Sequence, residues 1–468
     1  MRRRLLIGGS VLVALLAGYA VADAEDAVPG VLTLSPRVAA VDPAPPTPSA
    51  TYPPTSTLGP VLADPSAAAP LPVPSVLAAR LAATTKAFGS GGGASVVDAL
   101  TGQVLYSTRG STPHTPASTT KLLTAVATLS AMSPDMTLPT KVVQGTTAGQ
   151  VVLVGGGDTQ LAVGKGSPTA VLGRAGLGDL AMMTAKSLQD KGVQAVSVGF
   201  DDSMFSGPTL NPRWVSSDWR LGMVGPVTAL GLASRASRFG HAAPADPSLA
   251  TAQVFVTALR RAGVSVTGAP TRMVAAASAA TLGVVQSAPL GDLVSWTLLT
   301  SDNTEAEVLA RLAAHAAGGV GSFAGAAAHD VHVAAELGVP VAGIRLYDGS
   351  GLARSDLIAP QTLTALLAKA AGSGRPQLRP LFSGLPVAGF SGTLVHRFDD
   401  RSTALAAGVT RAKTGTLKGV NTLAGVTVDA DGRLLAFAFM ADHRTAAQGS
   451  AADLVDRAAA VLAACGCR

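Results

Sequence analysis

Two strand-like pairs stand near opposite ends of this 468-residue chain, each flanked by helical runs. At the front, residues 94–98 and 103–107 read as strands joined through Ala99-Leu100-Thr101-Gly102. A helix is expected before them over residues 75–88, and another after them to about Met132. At the back, residues 417–428 and 433–441 form a second pair around Asp429-Ala430-Asp431-Gly432. A last helix is expected from about 446 to 464, with Leu454, Val455, Ala458, Val461 and Leu462 on one face. Strands and helices contributed by both ends specify one α+β body, an antiparallel sheet flanked by helices.

The stretch between has another texture. From about 137 to 275, strand-like runs (151–154, 195–200) alternate with glycine loops and helices (178–191, 251–262). This reads as an inserted, smaller domain, in keeping with a length that suggests two or three domains. The chain turns helical again through 293–299, which returns it to the first body. The expected division is therefore 75–136 with 276–468 for the main domain and 137–275 for the insertion. No repeat of fixed period is present.

Residues 25–74 hold 13 of the 30 prolines and no sustained periodicity, so they read as an extended linker. Before them, Arg2-Arg3-Arg4 leads into an uncharged, largely apolar stretch over 5–22, and Ala22-Asp23-Ala24 offers a small-x-small cleavage site. Residues 1–24 thus read as an export signal, or as a retained membrane anchor through residues 5–22. Either way the arginines stay inside and the body lies outside the cytoplasm, secreted or tethered in the cell envelope. The formal charge of +6 is spread over scattered basic residues, with no run that marks a nucleic-acid binder. The two cysteines, Cys465 and Cys467, could pair in an oxidising compartment or form an unimportant tail. They cannot make a four-ligand zinc site alone.

The run from Thr115 to Ala127 is the first candidate for chemistry. Thr115 is expected to cap a helix, Pro116 to open it, and Ser118 to fall in the first turn. Lys121 lies three residues on, on the same face. A hydroxyl and an amine at a helix mouth make an activated-nucleophile arrangement without histidine. S-x-x-K alone is a weak signal. Two later stretches change its weight: Ser301-Asp302-Asn303, on an exposed connection between helical runs, and Lys413-Thr414-Gly415, opening the strand of the C-terminal pair.

S-x-x-K on a helix, S-x-N on a loop and K-T-G on a strand, in this order, resemble the penicillin-recognising serine acyltransferases. The long insertion narrows the likeness to class C low-molecular-mass penicillin-binding proteins, the D-alanyl-D-alanine carboxypeptidase/endopeptidase family. Gly155-Gly156-Gly157-Asp158, Asp201-Asp202-Ser203-Met204-Phe205, Asp348-Gly349-Ser350-Gly351-Leu352-Ala353-Arg354 and Gly389-Phe390-Ser391-Gly392-Thr393-Leu394 resemble it too. The likeness runs from about 75 to 460. Family members often carry Asp-Pro where this chain has Asp158-Thr159, and the insertion is shorter than in larger members.

The resemblance implies a transpeptidase/β-lactamase-like fold and acyl transfer through an ester on Ser118. It implies Lys121 as the base, kept neutral by Lys413 nearby and by partial burial. Ser301 would relay the proton, and Asn303 would hold the substrate amide or brace the Ser301 loop. Lys413, Thr414, Gly415 and Thr416 would line the substrate strand, with the backbone N–H groups of Ser118 and Thr416 as oxyanion hole. Arg354 and Asp201 would bind the charged end of the stem peptide's diamino acid, or be a structural ion pair and a turn residue. The implied partners are peptidoglycan stem peptides and, as covalent inhibitors, β-lactams; no cofactor or metal is implied.

Four rival readings are set against this one. A class A β-lactamase would need a glutamate between the first two motifs, and none occurs from Lys121 to Ser301. A Ser-His-Asp hydrolase lacks its G-x-S-x-G elbow, and no H-E-x-x-H suggests a metal hydrolase. An idle penicillin-binding envelope module would not need Ser118, Lys121 and Lys413 together.

Overall fold

A computed structural model describes residues 68–372, 374–442 and 451–468. The export segment, most of the proline-rich linker and the first residues of the expected last helix lie outside these. Among the described residues no helix is long and apolar enough to cross a membrane.

The two ends of the chain meet in one five-stranded sheet, in the order β2-β1-β10-β9-β8. Its strands are β1 (Gly92–Asp98), β2 (Val104–Thr108), β8 (Thr410–Leu417), β9 (Val420–Val428) and β10 (Leu434–Ala441). Every pairing in it is antiparallel. The central strand β10 explains how the layers form. Its alternate residues Leu435, Phe437 and Phe439 pack with Leu77, Leu81, Val455 and Leu462 of the Pro74–Lys86 and Ala451–Ala463 helices. The others, Ala436, Ala438 and Met440, face Leu122, Val126, Leu363 and Leu367 of the Lys121–Ala131 and Pro360–Ala371 helices. The period of two, apolar on both faces, produces a sheet sandwiched by helices.

β8 is a strand of its own. The sequence shows one continuous run from 411 to 428, but Leu417 pairs with Val420 across Lys418-Gly419. Gly419 takes φ 77°, the left-handed conformation a tight reversal uses. The K-T-G residues therefore lie in the middle of an edge strand rather than at the opening of a longer one.

A second five-stranded sheet, β6-β5-β4-β3-β7, occupies the middle of the chain. It comprises β3 (Pro139–Gln144), β4 (Gln150–Val154), β5 (Ala195–Asp201), β6 (Ser265–Arg272) and β7 (Thr281–Gln286). β4, β5 and β6 run parallel, whereas β3 pairs antiparallel with both β4 and β7. The Leu177–Asp190 and Pro247–Arg261 helices close its own core through Leu180, Leu188, Phe255 and Leu259. β7 lies beyond the expected limit at 275, because its burial alternates weakly and the alanine-rich run before it hides a strand. The segment around 214–227 departs in the other direction. Trp214, Val224 and Val227 join the main-domain core, with Trp214 edge-on to Phe323 at 5.2 Å. Cys465 and Cys467 are joined as a disulfide beside the buried face of the last helix.

Candidate active site

Ser118 stands on a 3-10 turn, Ala117–Thr120, and the α-helix begins only at Lys121. The expected cap is absent: Pro116 stands at the cap position, where no side chain bonds the turn, and the Thr115 N–H donates to the Asp442 carboxylate at 3.1 Å. Ala117 adopts φ 48°, outside the helical region. Two close backbone approaches hold the turn in that form. Thr422 Oγ1 donates to the Pro116 carbonyl at 2.7 Å. A Cβ on Gly415 would lie 2.7 Å from the same oxygen, so glycine is what lets β8 press against the nucleophile turn. Ser118 itself is half-buried, within reach of a ligand.

Lys121 is 1% exposed. Its Nζ donates to Ser118 Oγ at 3.0 Å, Asn303 Oδ1 at 2.6 Å and the Ser350 carbonyl at 2.8 Å, using all three hydrogens of an ammonium. Burial pushes its pKa down to about 8, against the opposing charges of Asp348, Glu307 and Asp302. Lys413 is also buried and donates to Ser301 Oγ and the Thr414 carbonyl, each at 2.8 Å. Burial, then the charges of Lys121 and Arg397, hold its pKa well below the usual lysine value. The sequence reading assigned Lys121's neutrality to Lys413 and partial burial. Burial is the larger cause and is complete rather than partial, and repulsion between the two buried ammonium groups acts on both.

Ser301 takes φ 61° in a two-residue link between the Leu290–Thr300 and Asn303–Ala316 helices. The link is half-buried, not exposed as expected, because Lys413 and the cap formed by Asp302 on the Glu305 N–H draw it inward. Asn303 bridges: Oδ1 accepts from Lys121 while Nδ2 donates to the Met223 carbonyl at 2.8 Å. Thr414 Oγ1 shares a 2.8 Å hydrogen bond with Thr393, and Thr416 presents an exposed side chain at the strand's outer edge. The three motifs thus meet as two hydrogen-bonded sets, Ser118–Lys121–Asn303 and Ser301–Lys413.

Arg354 and Asp201 are occupied by internal partners. Arg354 forms a two-pronged pair with Asp218 at 3.0 and 3.2 Å, leaving its side chain 41% exposed. The Asp201 carboxylate accepts from the Ser203 and Ala275 N–H groups at 2.9 and 2.8 Å. Three participants were missed in the sequence: the Ser350 carbonyl, the Met223 carbonyl and Glu307. The Asp348–Arg354 stretch drew attention as a likeness, but nothing in residue identity points to a carbonyl as a lysine's acceptor.

A base must be neutral to take a proton, so the pH dependence is fixed in sign. With a pKa of about 8, roughly a tenth of Lys121 is free amine at pH 7. Acylation of Ser118 is expected to rise about tenfold from pH 7 to a plateau above pH 9. Stopped-flow acylation by a β-lactam across pH 6–10 measures this; a flat profile would show that Lys121 does not titrate in that range.

A half-buried serine on a tight turn, a desolvated lysine bonded to it, and a second lysine on a facing edge strand define a serine acyltransferase of the penicillin-recognising class. Residues 76–239 and 231–462 match the profile of the D-Ala-D-Ala carboxypeptidase 3 (S13) family, and the chain belongs to that family. It is 37% identical over 381 residues to a carboxypeptidase of Mycobacterium tuberculosis, covering 80% of each chain. It is 36% identical over 378 residues to carboxypeptidase DacB of Mycolicibacterium smegmatis, again 80% of each. Its fold resembles penicillin binding protein 4 from Haemophilus influenzae with TM-score 0.65 at 21% identity, over 81% of this chain and 97% of that one. The protein is a serine-type D-Ala-D-Ala carboxypeptidase.

Proposed function

We propose that Ser118 Oγ attacks the carbonyl of the terminal D-Ala–D-Ala bond of a peptidoglycan stem peptide, forming an ester and releasing D-Ala. One observation carries this: Lys121 Nζ lies 3.0 Å from Ser118 Oγ with its pKa held near 8 by burial. The free amine takes the hydroxyl proton as the C–O bond forms. Ser301, bonded to Lys413, relays that proton from the Lys121 ammonium to the departing amine as the C–N bond breaks, which returns Lys121 to the free amine. Backbone N–H groups of Ser118 and Thr416 hold the developing oxyanion, about 3–4 kcal/mol for each such donor. Lys413 and Thr416 receive the leaving residue's carboxylate, with Thr414 and Gly415 shaping the strand. Water then cleaves the ester. Asn303 braces Lys121 against Met223, which leaves less of it for the substrate amide than the resemblance implies.

Arg354 and Asp201 would meet the charged end of the diamino acid only by sharing their present partners. The export segment supports placement of the enzyme in the extracytoplasmic envelope, anchored by residues 5–22 or released. Incubation with uncross-linked and cross-linked muropeptides tests the reading and separates carboxypeptidase from endopeptidase action. Free D-Ala is the expected product, and release of neither D-Ala nor monomer from any muropeptide would overturn it.

The absence of glutamate between Lys121 and Ser301 predicts the fate of a β-lactam. One equivalent of penicillin is expected to acylate Ser118 and remain bound through minutes of dilution, as followed by intact-protein mass. Turnover of many equivalents in that time would favour the β-lactamase reading.

A further inference from the structure

Beneath Lys121 lies a group of buried carboxyls that the acyl-transfer chemistry does not use. Glu307, one turn into the Asn303–Ala316 helix, is fully buried. Its carboxylate accepts from the Gly349 N–H at 3.0 Å and from the Ser350 N–H at 2.8 Å. The carbonyl of that same Ser350 is the acceptor for Lys121 Nζ. A Cβ on Gly349 would lie 2.7 Å from Ala310 Cβ and 3.5 Å from the Ala306 carbonyl, so this loop rests flat on the face of Glu307's helix. Thr124 Oγ1 pins its other side, bonded to the Gly349 carbonyl at 2.7 Å and to Asp330 at 2.8 Å. Asp348 completes the turn by accepting from the Gly351 and Ala353 N–H groups, each at 2.7 Å, and from Trp214 Nε1.

We propose that Glu307 is a positioning residue for the acyl-transfer reaction: together with Asp348 it fixes the 349–351 loop so that the Ser350 carbonyl holds the Lys121 amine on Ser118. The inference rests on the assignment of Lys121 as the base. A carboxylate that receives two successive backbone N–H groups aligns that loop as a nest aligns an anion, with the roles reversed. The Ser350 N–H and the Ser350 carbonyl lie in successive planar peptides: Glu307 fixes the first, Asp348 fixes the second through the Gly351 N–H, and the carbonyl is set by the two together. The titratable groups in electrostatic contact with Glu307 are Asp348 and Asp356, with Arg311 on its own helix and Lys121 across the loop. Burial and the neighbouring Asp348 raise the Glu307 carboxyl itself to about 8, so its role rests on the hydrogen-bonded geometry of the loop and not on a fixed charge.

The test compares Glu307→Gln and Thr124→Val with wild type, reading the β-lactam acylation rate, its non-covalent Kd and the pH profile. Glu307→Gln preserves volume but sets an NH2 against one of the loop's N–H groups. The expected result is an acylation rate about 10–100-fold lower with Kd within about twofold, since sub-ångström misplacement of a base costs that much. Thr124→Val loosens the same loop without altering a titratable group, so its rate falls while its pH limb stays in place. A folded Glu307→Gln protein with a rate within about threefold of wild type overturns the proposal. Should Glu307→Gln not fold, Thr124→Val decides: a wild-type rate overturns the role of the loop, and a lower rate on an unmoved limb supports it. A wild-type protein that labels at a residue other than Ser118 would overturn the underlying assignment instead.

Discussion

Ser118→Ala is expected to abolish covalent labelling by penicillin and to lower D-Ala release by about a millionfold, the scale seen when a serine nucleophile is removed. Residual rate would come from the oxyanion donors and binding alone. The fold should survive the change. Lys121 loses one of three acceptors, but Asn303 Oδ1 and the Ser350 carbonyl remain at 2.6 and 2.8 Å. Ser118 is half-buried and its methylene stays, so no cavity opens in the core. The melting temperature should stay within a few degrees, and non-covalent affinity within severalfold, because Lys413 and the β8 strand are untouched. Intact-protein mass after exposure to penicillin checks the first claim and calorimetry the second. An adduct of full stoichiometry on the variant would move the nucleophile elsewhere.

The same residues show how much was legible beforehand. The α+β body followed from period-two apolar runs at both ends, and β10 carried that signal on both its faces. The three motifs named the side chains now brought together in the site, because side-chain chemistry is written in residue identity. What was hidden is carried by backbone. The 3-10 turn under Ser118 depends on Ala117 at φ 48°, which no propensity favours and which the neighbouring strand and loop impose. β8 was fused with β9 because Lys418-Gly419 is short beside the apolar runs around it.

Charge was misjudged for a related reason. Lys121 and Lys413 read as a repelling pair, while the acids that oppose burial of Lys121 come from positions 302, 307 and 348, far from it in sequence. Nothing in the sequence singles out Glu307. Its burial is a property of the packed loop, as is the exposure lost by Ser301. Sequence periodicity reports which face of an element is apolar, not which backbone groups will be brought against it.

Those backbone contacts make Gly351 the position where a single methyl should do most damage. Gly351 has φ 77°, where an L side chain costs about 1–2 kcal/mol. A Cβ there would also lie 1.8 Å from the Ala117 carbonyl and 2.7 Å from Thr120 Oγ1. The first of these is backbone and cannot swing aside, so overpacking adds about 1–3 kcal/mol or more. Gly351→Ala is therefore expected to lower unfolding free energy by about 3–5 kcal/mol, a large share of a typical domain's stability. Function should suffer further than stability. The loop must retreat from the Ala117 carbonyl, carrying the Ser350 carbonyl with it, or the Ala117 turn must retreat, carrying Ser118. Either movement separates nucleophile from base, and acylation in the folded fraction should drop at least about a hundredfold. Gly432→Ala is the control: φ is 85° but nothing lies within 4 Å of its Cβ. That variant should lose only the conformational cost, about 1 kcal/mol, and acylate at the wild-type rate. Denaturant midpoints and stopped-flow acylation measure both. Equal behaviour of the two variants would mean that the contact between Gly351 and Ala117 is not what holds Ser118 against Lys121.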